Sequence, residues 1–87
     1  MDDKMWSNSG WITETNPEIL KNKYDKKLEE AGFKVIGFIE HFFEPQGYTA
    51  LWLLSESHFA LHTFPENNST YYELSSCINT QFDKFII

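Results

Sequence analysis

An 87-residue chain is short enough to form one domain, here taken as residues 1–87, and a domain this small is marginal without a partner, so an oligomer is expected. Its 41% hydrophobic and 17% aromatic content is too rich for a disordered segment, while 13 acidic against 7 basic side chains argue against binding to nucleic-acid phosphates. The opening Met1-Asp2-Asp3-Lys4 has no basic and apolar leader, and no run approaches the roughly 20 apolar residues of a membrane span. No membrane partner is therefore expected, and a lone cysteine, unable to form an internal disulfide, fits the reducing cytoplasm.

In chain order, residues 6–13 are a candidate first strand interrupted by Ser, Asn and Gly. Residues 17–31 read as a helix: Asn16 suits the cap, Pro17 the first turn, Glu18 the positive end of the dipole, and Gly32 the stop. Leu20, Tyr24, Leu28 and Ala31 recur on one face, and Lys21, Lys23, Asp25, Lys26 and Glu29 form a solvated one. After Gly32 the period changes, and residues 33–43, 48–55, 57–64 and 70–77 read as four strands. Glu44-Pro45-Gln46-Gly47 is a tight hairpin turn and residues 65–69 a longer one, so the strands should run antiparallel. Asn79 is expected to cap a short helix running towards Ile87.

The expected fold is therefore α+β, a two-layer sandwich with an antiparallel sheet of about four strands, one main helix and a short C-terminal helix. Leu51 and Leu53 alternate with Trp52 and Leu54, which makes the second strand of this group apolar on both faces and places it inside the sheet. Its second face is left for another subunit.

The densest chemistry lies in Ser55-Glu56-Ser57-His58-Phe59-Ala60-Leu61-His62-Thr63-Phe64-Pro65-Glu66, followed on the next strand by Cys77. A hydroxyl nucleophile, imidazoles that titrate near neutrality and one thiol fall within a short region, as a self-cleaving chain needs. Each has a plainer reading. His58 and His62 share a strand face and could pair on a metal, but a complete site needs a third ligand, so no metal is expected. A lone cysteine is commonly a small buried hydrophobe. Trp6, Trp11 and Trp52 read as packing residues, and His41 as structural or exposed. Ser57 and His62, five residues apart, should point to opposite faces of a regular strand.

The segment from Glu56 to Glu66 resembles the prokaryotic S-adenosylmethionine decarboxylases, whose hallmark is Ser-His-x-x-x-His-Thr-Trp-Pro-Glu after the glutamate of a cleaved bond, with a cysteine downstream. Phe64 stands for the family tryptophan. The likeness extends to Phe43-Glu44-Pro45 and Gly47-Tyr48-Thr49, where Thr49 keeps the hydroxyl of a family serine. The family's usual opening, with its His and Asp-Leu motif, is not visible, and the C-terminal region is short.

The resemblance implies self-cleavage between Glu56 and Ser57, with Ser57 becoming a pyruvoyl cofactor whose carbonyl takes the substrate amine as a Schiff base. It further implies that His62 donates and accepts protons during processing, that Thr49 positions the ester, and that Cys77 returns a proton after decarboxylation. Phe43, Phe64 and Glu66 would bind substrate, and neither pyridoxal phosphate nor metal would be used. The expected reaction is decarboxylation of S-adenosylmethionine for spermidine synthesis, in a homodimer with active sites near the subunit boundary and a bend at the Glu56-Ser57 bond. The alternatives are the same machinery acting on ornithine or arginine, or a non-catalytic homologue serving as a regulatory partner.

Overall fold

A computed structural model describes residues 4–86. Its elements run β1 (Trp6–Ile12), α1 (Pro17–Glu30), β2 (Val35–Phe42), β3 (Tyr48–Leu54), β4 (Ser57–Phe64), β5 (Ser69–Ser76) and α2 (Asn79–Ile86). The strands form one antiparallel sheet in the order β1-β5-β4-β3-β2. The sheet has five strands, one more than expected, because the candidate first strand is real: β1 pairs with β5 from Trp6 opposite Ser76 to Ile12 opposite Thr70. Its small residues serve that pairing. A Cβ at Gly10 would come within 3.0 Å of the Tyr72 hydroxyl, so glycine lets β1 lie under that ring.

Helix α1 starts where the cap residues put it, with the Asn16 side chain accepting a hydrogen bond from the Ile19 amide at 3.1 Å. It ends at a left-handed Gly32 (φ 91°), whose carbonyl accepts from the Gln81 side chain at 2.8 Å and so ties α2 to the end of α1. Helix α2 begins with Asn79 itself. The cap position falls one residue earlier, at Ile78, whose carbonyl accepts from Phe82.

Both helices cover the same side of the sheet. Leu20, Tyr24, Leu28, Ala31, Phe82 and Phe85 meet Tyr48, Trp52, Leu54, Phe59, Leu61 and Leu74 in one core. The charged face of α1 is not wholly solvated: the Trp52 indole donates to Asp25 at 2.7 Å, and the other carboxylate oxygen of Asp25 pairs with Lys21 at 2.8 Å. The β2–β3 connection is longer than a tight four-residue turn, spanning residues 43–47 between the Phe42–Tyr48 pair and closed by the Phe43 amide on the Gly47 carbonyl.

Strand β3 lies inside the sheet, between β4 and β2. Its Tyr48, Ala50, Trp52 and Leu54 are buried under the helices, and Leu51 and Leu53 remain exposed on the opposite face. Ile39 is likewise exposed, directly across from Leu51. A large apolar area on the uncovered side of a sheet is a common mark of an interaction surface.

Candidate active site

Two residues, Ser55 and Glu56, turn β3 into β4, and Leu54 pairs with Ser57 across the turn. The backbone bends at this turn, whereas β4 keeps a continuous register from Ser57 onward. Glu56 adopts φ 62°, a left-handed conformation that costs a side-chain-bearing residue on the order of 1 kcal/mol. That strain sits on the residue whose carbonyl forms the Glu56-Ser57 bond.

Three side chains surround the bond. Ser57 faces the helices, only 6% exposed, and its hydroxyl donates to the hydroxyl of buried Ser76 at 2.9 Å. The Cys77 thiol donates to the Glu56 carbonyl oxygen at 3.0 Å and lies 3.5 Å from the Glu56 carboxylate. Partial desolvation, then the hydrogen bond and negative charge of Glu56, push the Cys77 thiol above its ordinary value. The shift favours the protonated thiol over the thiolate.

Replacing Glu56 by Gln removes the charge and the carboxylate acceptor while leaving the desolvation. In a Ser57→Ala background, Glu56→Gln is expected to raise the rate of Cys77 alkylation by iodoacetamide several-fold at about pH 8 and to move its pH profile to lower pH. Cys77 is the only thiol, so mass spectrometry reads it directly. An unchanged profile would show that the carboxylate does not restrain the thiol.

A second group lies at the other end of β4. Thr49 and His62 are cross-strand partners, and the Thr49 hydroxyl is 3.0 Å from His62 Nδ1. This bond engages Nδ1, fixes the ring and leaves Nε2 outside the pair. Phe43, Thr49, His62, Phe64 and Glu66 line one open hollow of about 380 Å³, so five of the eight expected site residues share a single concavity. Trp11, read from sequence as packing, is 63% exposed, with its ring 5.8 Å from Phe64 and 5.3 Å from Tyr71. Alternation along β1 carried no signal of this, because the contact is made across three strands.

The two groups are not brought together within one chain. Ser57 faces the helices while His62 faces the open side, and five residues of strand separate them by roughly 17 Å. His58 shares the open face with His62, and among the described residues no group of three or more His, Cys, Asp or Glu is placed to hold a metal.

Known proteins resemble this chain in sequence and in fold. The family model for S-adenosylmethionine decarboxylase matches residues 13–86. An S-adenosylmethionine decarboxylase proenzyme from Prochlorococcus marinus (strain MIT 9313) is 45% identical over 58 residues, covering 67% of this chain and 46% of the relative. One from Brevibacillus brevis is 38% identical over 63 residues, covering 72% and 47%. The chain thus spans about half the length of the curated relatives it matches. The crystal structure of an adenosylmethionine decarboxylase from Aquifex aeolicus VF5 superposes with a TM-score of 0.68 at 20% identity, covering 94% of this chain and 73% of that one, which supports the α+β fold. With the family model spanning residues 13–86 of 87, and with the motif around Glu56 and Ser57 in place, the chain belongs to the S-adenosylmethionine decarboxylase family.

Proposed function

We propose that this chain is a self-cleaving proenzyme that decarboxylates S-adenosylmethionine to the aminopropyl donor for spermidine synthesis. The observation that carries the reading is the Glu56-Ser57 bond at a left-handed hairpin tip, with a thiol donating to its carbonyl oxygen. In the first step Ser57 Oγ bonds to the Glu56 carbonyl carbon, the C–N bond breaks, and the hydroxyl proton ends on the Ser57 nitrogen. This N-to-O shift gives an ester with no net change in atoms. Loss of the Ser57 Cα proton then expels the Glu56 carboxylate, and water replaces the nitrogen of the resulting enamine, releasing ammonia and leaving a pyruvoyl end.

The residues fit such a group: a serine opens a strand beside a protonated thiol, and relaxation of the left-handed Glu56 favours opening of the turn. When formed, the pyruvoyl carbonyl supplies an electron sink for the departing carbon dioxide. The chain's own residues do the rest. Cys77 holds a proton at Sγ for return to the substrate carbon. The rings of Phe43 and Phe64 offer stacking faces for adenine, and the Glu66 carboxylate accepts hydrogen bonds from the sugar or amine.

A homodimer follows from the same reading. His62 and Thr49 cannot serve Glu56-Ser57 of their own chain, and a second copy can bring its own pair to the exposed hairpin tip. Exposed Ile39, Leu51 and Leu53 supply an apolar contact face and, with Gly37 and His58, line a hollow of about 380 Å³ in it. A cytoplasmic location accords with a catalytic thiol kept reduced, and no helix among the described residues is long and apolar enough to cross a membrane.

Denaturing mass spectrometry of the wild type beside Ser57→Ala tests the proposal. Two fragments split at Glu56-Ser57, the second with a pyruvoyl end, are expected only in the wild type. A wild type that stays whole as a purified dimer would overturn self-processing and favour a non-catalytic homologue.

A further inference from the structure

Ser76 plays no part in the chemistry described so far, yet its hydroxyl is completely buried and touches the proposed nucleophile. It lies directly opposite Ser57 in the β4–β5 ladder. Its hydroxyl accepts from Ser57 Oγ at 2.9 Å and from the Ile78 amide at 3.0 Å, and donates to the Ile78 carbonyl at 3.3 Å. Both lone pairs and the single proton of Ser76 are therefore committed. The consequence for Ser57 is directional: with the Ser76 proton engaged on Ile78, Ser57 must be the donor, and among the described residues nothing donates to the lone pairs of Ser57 Oγ.

We propose that Ser76 is the positioning residue for self-cleavage, holding the Ser57 hydroxyl in one rotamer with its proton directed into the core and its lone pairs unengaged. This rests on the self-processing reading above. Ser76 is not a base, since it has no free lone pair to keep another proton. It acts through Ser57, whose Oγ forms the bond to the Glu56 carbon while the proton ends on the Ser57 nitrogen as the C–N bond breaks. The loop from Ser76 to Ile78 adds a second function to the same anchor: it leads straight to Cys77, so one buried hydroxyl sets both the nucleophile and the thiol that polarises the carbonyl.

A reacting atom displaced from its attack geometry commonly loses one to two orders of magnitude in rate. Proenzymes carrying Ser76→Ala, Ser76→Cys and Ser76→Thr are compared with wild type by the rate at which a fragment beginning at residue 57 appears in the mass spectrum. Melting temperature and far-ultraviolet circular dichroism are measured alongside. Ala and Cys should slow cleavage on the order of tenfold to a hundredfold, and Thr, which retains the hydroxyl, should restore it to near the wild-type rate. Cys matches serine closely in volume, so it tests the hydroxyl even if the Ala cavity unfolds the chain. Cleavage at the wild-type rate in Ala or Cys would overturn the proposal, as would equal slowing in all three folded variants, which would assign the effect to packing. An intact wild type would overturn the self-processing reading and this proposal with it, whereas a cleaved wild type beside a normally cleaving Ser76→Ala would overturn this proposal alone.

Discussion

Ser57→Ala and His62→Ala proenzymes, each uncleaved when prepared alone, are expected to regain cleavage when they are unfolded together and refolded as a mixture. The expectation comes from the geometry of β4. Ser57 opens the strand on the helix side, and His62 lies five residues later on the open side, held by Thr49. No rotamer change spans the roughly 17 Å between them. If the proton-transfer residues act from the partner, a mixed dimer contains one site with both an intact Ser57 and an intact His62, and a second site lacking both.

Random pairing at equal concentrations puts about half of the His62→Ala chains in mixed dimers, so about half of those chains should be cut. The Ser57→Ala chains should remain whole. Intact masses of the two variants differ, so the cut chain is identified without labels. Absence of fragments, with mixed dimers confirmed in the native mass spectrum, would show that His62 does not act across the interface. Cleavage of His62→Ala alone would remove His62 from processing altogether.

Local chemistry was the part of the fold most easily read from sequence. The Asn16 cap, Pro17 and Gly32 bound α1 within one residue of its observed end, and Ser57 and Phe64 bound β4 as expected. The first strand was obscured because its residues are chosen for its neighbour. Ser, Asn and Gly have low strand preference, and Gly10 earns its place only once Tyr72 is known to lie against it. Asp25 looked like one more charge on a wet helix face. Its hydrogen bond to Trp52 joins residues 27 apart in sequence, and no periodicity reports such a contact.

The site divides in the same way. Motif residues were legible because they are contiguous, from Glu56 to Glu66, and strand alternation correctly set Ser57 and His62 on opposite faces. Ser76 and Trp11 were not, since each reaches the site through sheet register: Ser76 through β4–β5 pairing, and Trp11 through its neighbours Tyr71 and Phe64. Register depends on which strands meet, and a β1 that closes the far side of β5 is a non-local decision of the whole chain.

Phe59→Ala is expected to lower stability by about 4 kcal/mol, and in the cleaved protein to let the two fragments separate. Phe59 is fully buried, two residues beyond the proposed cleavage site, with its ring 4.6 Å from Tyr24, 5.4 Å from Trp52 and 5.3 Å from Phe85. Cleavage after Glu56 would leave β1, α1, β2 and β3 on one fragment and β4, β5 and α2 on the other. In the sheet order β1-β5-β4-β3-β2, the second fragment's strands are clamped between two strands of the first. Separation must therefore break both the β1–β5 and the β4–β3 ladders and pull α2 from α1, so the wild-type fragments should stay together without a covalent link. Phe59 of the second fragment stitches them at the centre, meeting Tyr24 and Trp52 of the first, while Phe85 and Tyr72 also reach Tyr24. A domain of this size has a total stability on the order of 5–10 kcal/mol, so losing about 4 removes roughly half of it or more from a cleaved protein already without its chain connection. Urea titration of the uncleaved Ser57→Ala form with and without Phe59→Ala measures the stability loss. Size-exclusion chromatography of the cleaved forms measures fragment release. A loss below about 1 kcal/mol would mean that the aromatic cluster closes around the cavity, and retention of both fragments in the cleaved variant would assign the clamp to the backbone ladders alone.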